Sequence, residues 1–77
     1  MQVTVQFFAA FREAAGQRER SLETFAKTTG ELRAELVKTI PALAGTASVA
    51  VNERLANWKT AIAEGDRILL FPPVAGG

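Results

Sequence analysis

The side chains that most often perform chemistry are missing from this 77-residue sequence, which contains no cysteine and no histidine. Their absence removes the usual nucleophiles, proton shuttles and transition-metal ligands, so we expect no metal site and no permanently bound cofactor. Eight acidic side chains remain. Each lies singly among charges of opposite sign, as in Arg12-Glu13 or Arg18-Glu19-Arg20, and that pattern is typical of a solvated surface.

One chemically unusual group is left, the carboxylate at the end of the chain. Gly76 and Gly77 have no side chains, so this segment can pass a narrow channel and bring the carboxylate to a buried reactive group. Adenylation by ATP on a partner enzyme would activate the carboxylate, and a sulfur donor can then displace AMP to leave a thiocarboxylate. The alternative is a frayed terminus that happens to end in two glycines.

The residues before the two glycines favour a projecting tail. Pro72 and Pro73 stiffen the chain and cannot continue a sheet ladder, and Val74 and Ala75 follow them. Six extended residues reach at most about 20 Å, far enough to thread into a partner's active site. We therefore expect residues 1–77 to form a single domain, with residues 72–77 as its extended C-terminal tail.

The first third of the sequence predicts two strands separated by a short helix. Residues 2–7 alternate polar and apolar up to Phe7, as in a strand with one buried face. Residues 9–15 are good helix formers and stop at Gly16, a common C-terminal cap. Residues 17–24 alternate weakly among charges, which suits an edge strand or a loop.

A capping box predicts the start of the main helix. Thr28 is followed three residues later by Glu31, and leucine and isoleucine then recur at helical spacing until Pro41. Strands predicted at residues 48–51, around Leu55 and at residues 67–71 supply the sheet on which this helix can lie. The order indicates an α+β protein with a mixed sheet and one main helix across one face, and a β-grasp, ubiquitin-like fold fits it.

Alternation in the last strand predicts a surface for a partner. If Ile68 and Leu70 point toward the core, the residues that alternate with them point outward on the face that the helix leaves uncovered. Exposed aromatic and aliphatic side chains on a small protein commonly mark such a surface, although scattered exposed apolar residues are the simpler alternative. The predicted partner-binding residues are Phe8, Leu55, Leu69 and Phe71.

Charge and hydropathy argue against two classes of partner. Nine basic and eight acidic residues leave a net charge of +1, spread along the chain rather than gathered into the basic stripe that binds nucleic acid. No apolar run approaches the roughly 20 residues of a membrane span, and no secretion leader precedes the first strand. We expect a cytoplasmic protein that binds neither nucleic acid nor membrane.

Four groups of residues stand out together in the sequence. They are Phe7-Phe8-Ala9 with Arg12-Glu13 and Gly16, then Val51-Asn52, then Glu64-Gly65-Asp66, and finally Leu70-Phe71-Pro72-Pro73-Val74-Ala75-Gly76-Gly77. In this order they resemble the small subunit of molybdopterin synthase, the MoaD-type sulfur carriers of the MoaD/ThiS family. The resemblance spans nearly the whole chain, and its most specific part is the Phe-Pro-Pro-Val-Ala-Gly-Gly ending.

The resemblance implies that Gly77 is adenylated by an E1-like, MoeB-type enzyme and converted to a thiocarboxylate by a sulfurtransferase. It implies further that the tail enters the large, MoaE-type synthase subunit and donates sulfur to cyclic pyranopterin monophosphate in molybdenum cofactor biosynthesis. ATP is then used by the adenylating partner, and the active site belongs to the large subunit. The implied assembly is a heterotetramer, a large-subunit dimer with one small subunit at each end, contacted through Phe8, Leu55 and Phe71.

The sequence departs from this family at one turn, because relatives often place glycine after the asparagine, whereas here Glu53 follows Asn52. A residue with a side chain resists positive φ, so we predict a different type of turn. Three alternatives to the molybdopterin role stay open. They are a thiamine-pathway carrier, a tRNA-thiolation carrier or ubiquitin-like protein modifier, and a plain binding module that would tolerate loss of Gly77.

Overall fold

The computed structural model describes residues 1–73. In chain order the elements are β1 (Gln2–Phe7), α1 (Ala10–Ala15), β2 (Glu19–Glu23), α2 (Thr29–Val37), a 3₁₀ helix (Pro41–Ala44), β3 (Ser48–Val51), β4 (Arg54–Ala56) and β5 (Arg67–Phe71). The strands form one five-stranded sheet in the order β2-β1-β5-β3-β4. The last strand therefore lies at the centre, parallel to β1 and antiparallel to β3.

The predicted burial pattern of the strands is confirmed. Val3, Val5 and Phe7 are almost completely buried on one face of β1, where they meet the inward residues of β5. The predicted charged edge strand is also confirmed, because β2 pairs only with β1 and lies at one border of the sheet. Charges along such a border discourage pairing with other chains.

Both predicted helices are present. The backbone N–H of Gly16 donates to the carbonyl of Arg12 at 2.9 Å, and Gly16 has a φ of 77°, so it ends α1 as a left-handed cap. At the start of α2, the Thr28 hydroxyl accepts from the backbone N–H of Glu31 at 3.2 Å. The Glu31 carboxylate accepts in return from the N–H of Lys27 at 2.9 Å, one residue earlier than in the standard capping box.

The main helix is shorter than the apolar spacing predicts. It ends at Val37, and Ile40 has φ −129° and ψ 77°, outside the helical region. The proline at position 41 explains this, because a proline disfavours the helical conformation of the residue before it. Pro41 instead starts a 3₁₀ helix that buries Leu43 completely, while Ile40 still reaches the core.

Arg33 ties α2 to the segments around it. Its Nε donates to the carbonyl of Leu43 at 2.7 Å, and its Nη2 donates to the carbonyl of Gly45. The same guanidinium lies 4.4 Å from the centre of the Trp58 ring, a cation–π distance. Gly30 approaches this region closely, since its N–H donates to the Trp58 carbonyl at 2.9 Å.

The β3–β4 turn corrects the prediction made from Glu53. Asn52 and Glu53 have φ angles of 50° and 70°, the sign that a type I′ hairpin turn requires at both central residues. The strand pairing leaves only these two residues for the loop, and a I′ turn matches the strand twist. The Asn52 side chain adds support, because its Oδ1 accepts from the N–H of Arg67 and its Nδ2 donates to Asp66, each at 2.9 Å.

Candidate functional site

The face of the sheet opposite α2 carries the predicted partner surface. Ile68 and Leu70 are buried at 0% and 1% exposure, whereas Leu69 and Phe71, which alternate with them, lie on the opposite face and are only partly buried. The predicted alternation of β5 is therefore confirmed. This alternation places apolar side chains of the central strand on the side that no helix covers.

Two further apolar residues lie on this face. Leu69 is paired with Ala50 of β3, and Ala50 is paired in turn with Leu55 of β4, which forms a row across three strands. Leu55 at the end of the row is 83% exposed. Side chains in neighbouring register positions on one face lie close enough to present one continuous surface.

The aromatic end of the surface lies where β1 and β5 finish. Phe7 is paired with Leu70, and the N–H of Phe8 donates to the Leu70 carbonyl at 3.1 Å, so the register continues toward Phe71. Phe8 is 43% exposed. We call Phe8, Leu55, Leu69 and Phe71 the apolar face; the structure brings all four to one side of the sheet, and their binding role stays a prediction.

A strained turn follows Phe8. The N–H of Phe11 donates to the Phe8 carbonyl at 3.1 Å, and Ala9 between them has φ 53° and ψ −129°, values typical of the first central residue of a type II′ turn, which favours glycine. Such a conformation costs about 1–3 kcal/mol in a residue with a side chain. The turn leaves Phe8 exposed and Phe11 buried. It could not be predicted from the sequence, because alanine occupies the position where such turns usually have glycine.

The last described residues, Pro72 and Pro73, lie at the same end of the sheet. Because β1 and β5 are parallel, the chain passes Phe71 beside Phe8, and Pro72 and Pro73 follow outside the ladder, Pro73 being exposed. The predicted reactive residue Gly77 lies outside the described residues. The other tail residues outside them are Val74, Ala75 and Gly76.

A hollow beside Phe8 had no signal in the sequence. It has a volume of about 270 Å³ and is lined by Gln6, Phe7, Phe8, Arg12, Arg18 and Glu19. The charge pattern at residues 18–20 predicts a solvated face, and only the pairing of β1 with β2 shows that α1 and this segment enclose a concave space.

The exposure of Phe25 also had no signal in the sequence. Phe25 is 93% exposed near Met1, at the opposite end from the tail, between the buried residues Thr24 and Ala26.

The described part of the chain has neither a metal-binding cluster nor a membrane-spanning helix. Across residues 1–73 no cluster of three or more acidic side chains is placed to hold a metal ion. None of the helices there is both long and apolar enough to cross a membrane.

A mixed sheet with its last strand at the centre and one main helix across one face defines a ubiquitin-like β-grasp protein, as the sequence predicted. The ThiS family matches residues 5–77. The chain therefore belongs to the ThiS family.

Individual relatives point to sulfur carriers and protein modifiers. The molybdopterin synthase sulfur carrier subunit of Chlamydomonas reinhardtii is 34% identical, and the match covers 100% of both chains. SAMP1 of Haloferax volcanii, small archaeal modifier protein 1, is 30% identical with a TM-score of 0.81 over 100% of both chains. Subunits 1 and 2 of the Helicobacter pylori molybdopterin-converting factor form a complex, and the matching chain is 32% identical with a TM-score of 0.71 over 100% of both chains.

Proposed function

We propose that this chain is the sulfur carrier subunit of a molybdopterin synthase, with Gly77 as the residue that carries the sulfur. The Gly77 carboxylate attacks the α-phosphorus of ATP on an E1-like partner, pyrophosphate leaves, and an acyl adenylate remains. A sulfur donor system then displaces AMP and leaves the thiocarboxylate. This step takes place in the cytoplasm, and the chain itself holds no cofactor.

The observation that carries this proposal is the full-length similarity to the Chlamydomonas carrier subunit. A match that covers both chains from end to end includes the tail as well as the sheet. The geometry of residues 1–73 supports it, because the central strand ends beside the apolar face and directs the chain out through two prolines. A domain that delivers its own terminus to another protein needs these two features side by side.

The large synthase subunit is the proposed acceptor of the tail. A two-subunit complex is known for the Helicobacter pylori relative, and the apolar face of this chain is a suitable contact for such a partner. In the proposed assembly, one carrier binds each end of a large-subunit dimer. The thiocarboxylate sulfur is donated there to cyclic pyranopterin monophosphate, and two charged carriers supply the two sulfurs of the dithiolene.

Intact-mass spectrometry tests the chemistry. The protein is incubated with ATP, the adenylating enzyme and a sulfur donor, and we expect the mass increase of one oxygen-to-sulfur exchange, located at Gly77 by fragmentation. A chain lacking Gly77 is the control; it should keep its circular dichroism spectrum and thermal midpoint but gain no sulfur and support no pterin sulfuration. Full sulfuration activity without Gly77 would contradict the proposal.

The similarity to SAMP1 favours a second candidate function, that of a protein modifier. In that role the same activated Gly77 would form an isopeptide bond with a lysine of another protein, releasing AMP. Proteomic detection of Gly77 joined to lysine side chains, lost when the adenylating enzyme is deleted, would support it. A thiamine-pathway or tRNA-thiolation role is distinguished by offering the charged carrier to each acceptor system in turn and measuring which one removes the sulfur.

A further inference from the structure

The hollow beside Phe8 contains two arginines from different segments. Arg12 belongs to α1, and Arg18 lies just before β2, so their approach depends on the turn of the chain between them. Both residues are exposed. Two guanidinium groups around one concave space form a site suited to an anion, because each offers several N–H donors in a fixed planar fork.

The acidic residue of the hollow does not neutralise these arginines. Glu19 Oε1 accepts from Gln6 Nε2 at 3.2 Å and lies 3.5 Å from Arg67 Nη1, so it is directed toward β1 and β5. Within residues 1–73 no ion pair involves Arg12 or Arg18. The hollow therefore keeps an excess of positive charge that an incoming carboxylate can balance.

The position of the hollow indicates what it contacts. Phe8 belongs both to the hollow and to the apolar face, and the chain leaves β5 on the other side of the same residue. Protein interfaces commonly combine an apolar centre with a charged rim, and arginine is enriched in them. Because Phe8, Arg12 and Arg18 line the same hollow, a partner that covers Phe8 would approach the two arginines as well.

We propose that the hollow of Arg12 and Arg18 receives an aspartate or glutamate side chain of the partner that takes up the tail. This inference rests on the proposed function, since it supposes a partner protein on the apolar face. The carboxylate would form charge-assisted hydrogen bonds with the guanidinium groups and fix the carrier's orientation about its tail. The apolar contacts alone leave that orientation less defined, because hydrophobic contact is not directional.

Calorimetric titration of the full-length, uncharged chain against the purified large subunit and against the adenylating enzyme tests the proposal. The variant R12E/R18E should bind at least one of them about 10-fold to 100-fold more weakly than the original chain. The variant K38E/K59E is the matched control. It makes the same change in net charge at two exposed lysines outside the hollow, and its affinity should stay near that of the original chain.

Two further measurements identify the occupant. The difference between R12E/R18E and the original chain should shrink in about 1 M salt, where charges are screened over about 3 Å. One acidic-to-lysine substitution at the mouth of the partner's tail channel should restore binding of R12E/R18E.

Two controls exclude misfolding. Circular dichroism is expected to show the same fold for R12E/R18E and K38E/K59E, and the milder R12Q/R18Q should also weaken binding.

Three outcomes would overturn the inference or separate it from the proposed function. Equal affinities of R12E/R18E and K38E/K59E for both partners would overturn it while leaving the carrier role intact. Tighter binding by R12E/R18E that disappears on deletion of Gly77 would assign the hollow to the chain's own terminal carboxylate. An original chain that binds neither partner would instead contradict the proposed function.

Discussion

The two faces of β5 differ although their residues alternate along one strand. Ile68 and Leu70 are buried at 0% and 1% exposure beneath α2, while Leu69 and Phe71 remain partly exposed on the other side. Both sets are apolar, so burial rather than polarity distinguishes them. The helix covers one face of the strand, and apolar side chains on the other face stay partly exposed, so the open face is the candidate for contact with another protein.

Substitutions on the two faces of β5 should therefore affect two different quantities, the free energy of unfolding and the affinity for a partner. Substitutions on the covered face remove packing and leave cavities, and the free energy of unfolding should fall. Substitutions on the open face remove little packing, so their main effect should appear in affinity for a partner. Neighbouring residues of one strand can therefore test the division directly.

Leu70→Ala should have the largest effect on stability. Truncating a leucine that is 1% exposed is expected to lower the free energy of unfolding by about 2–5 kcal/mol. Leu69→Ala, on the adjacent position and opposite face, should lower it by less than about 1 kcal/mol. Urea unfolding followed by circular dichroism measures both. Equal losses would show that the open face contributes to the core as much as the covered one.

Leu55→Arg should weaken binding through the apolar face while leaving the fold intact. Leu55 is 83% exposed, so the fold should tolerate arginine, while an apolar contact with the large subunit would be lost and binding should weaken about 10-fold or more. Phe25→Arg is a matched control, because Phe25 is 93% exposed at the opposite end of the molecule. Calorimetry with the large subunit checks both variants, and a larger loss from Phe25→Arg would move the interface to that end.

Gly30→Ala tests how closely α2 lies to the segment beneath its first turn. A Cβ at this position would stand 2.6 Å from the Trp58 carbonyl oxygen, a backbone atom that cannot easily move. We expect a loss of about 1–3 kcal/mol in the free energy of unfolding. Gly45→Ala, whose nearest neighbour would be 3.5 Å away, should change it by less than about 0.5 kcal/mol. Thermal unfolding of the two variants gives the comparison. A Gly30→Ala variant as stable as the original chain would disprove the close packing of α2 against the Trp58 backbone.

The smallest expected effect concerns the β3–β4 turn. Glu53→Gly should raise the free energy of unfolding by up to about 1 kcal/mol, because glycine adopts the φ of 70° without steric strain. Asn52→Gly should lower it by about 1–2 kcal/mol although its φ is also positive, since two side-chain hydrogen bonds are lost. Guanidinium unfolding measures both. A gain in stability for both variants would mean that φ, rather than the Asn52 hydrogen bonds, controls this turn.

Much of the fold was predictable because its signals are local. Alternation fixed the inward residues of β1 and β5, and Thr28 with Glu31 marked the start of α2. The end of α2 was predicted too late, since the apolar spacing continues through Ile40 while the backbone changes conformation before Pro41. The turn at Glu53 was predicted wrongly, because strand pairing and twist outweigh the local preference of one residue.

The candidate site was predictable only in part. Alternation placed Leu69 and Phe71 outward, but their approach to Phe8 and Leu55 depends on β5 entering the sheet between β1 and β3. The arginine hollow had no local signal, because Arg12 and Arg18 resemble ordinary surface charges until α1 and β2 fold around one space. The turn at Ala9 had no local signal either, since alanine rarely adopts the conformation found there.

The sequence by itself determined which residues face inward and where the helices begin, because these depend on near neighbours and residue types. Its ending resembles that of a sulfur carrier, and that role stays a prediction. Only the tertiary structure decided that the central strand runs beside β1, so that the tail leaves next to Phe8 and the arginine hollow. The physical reason is that contacts between distant segments depend on how strands pair and how helices cover them. No single segment of the chain contains that information.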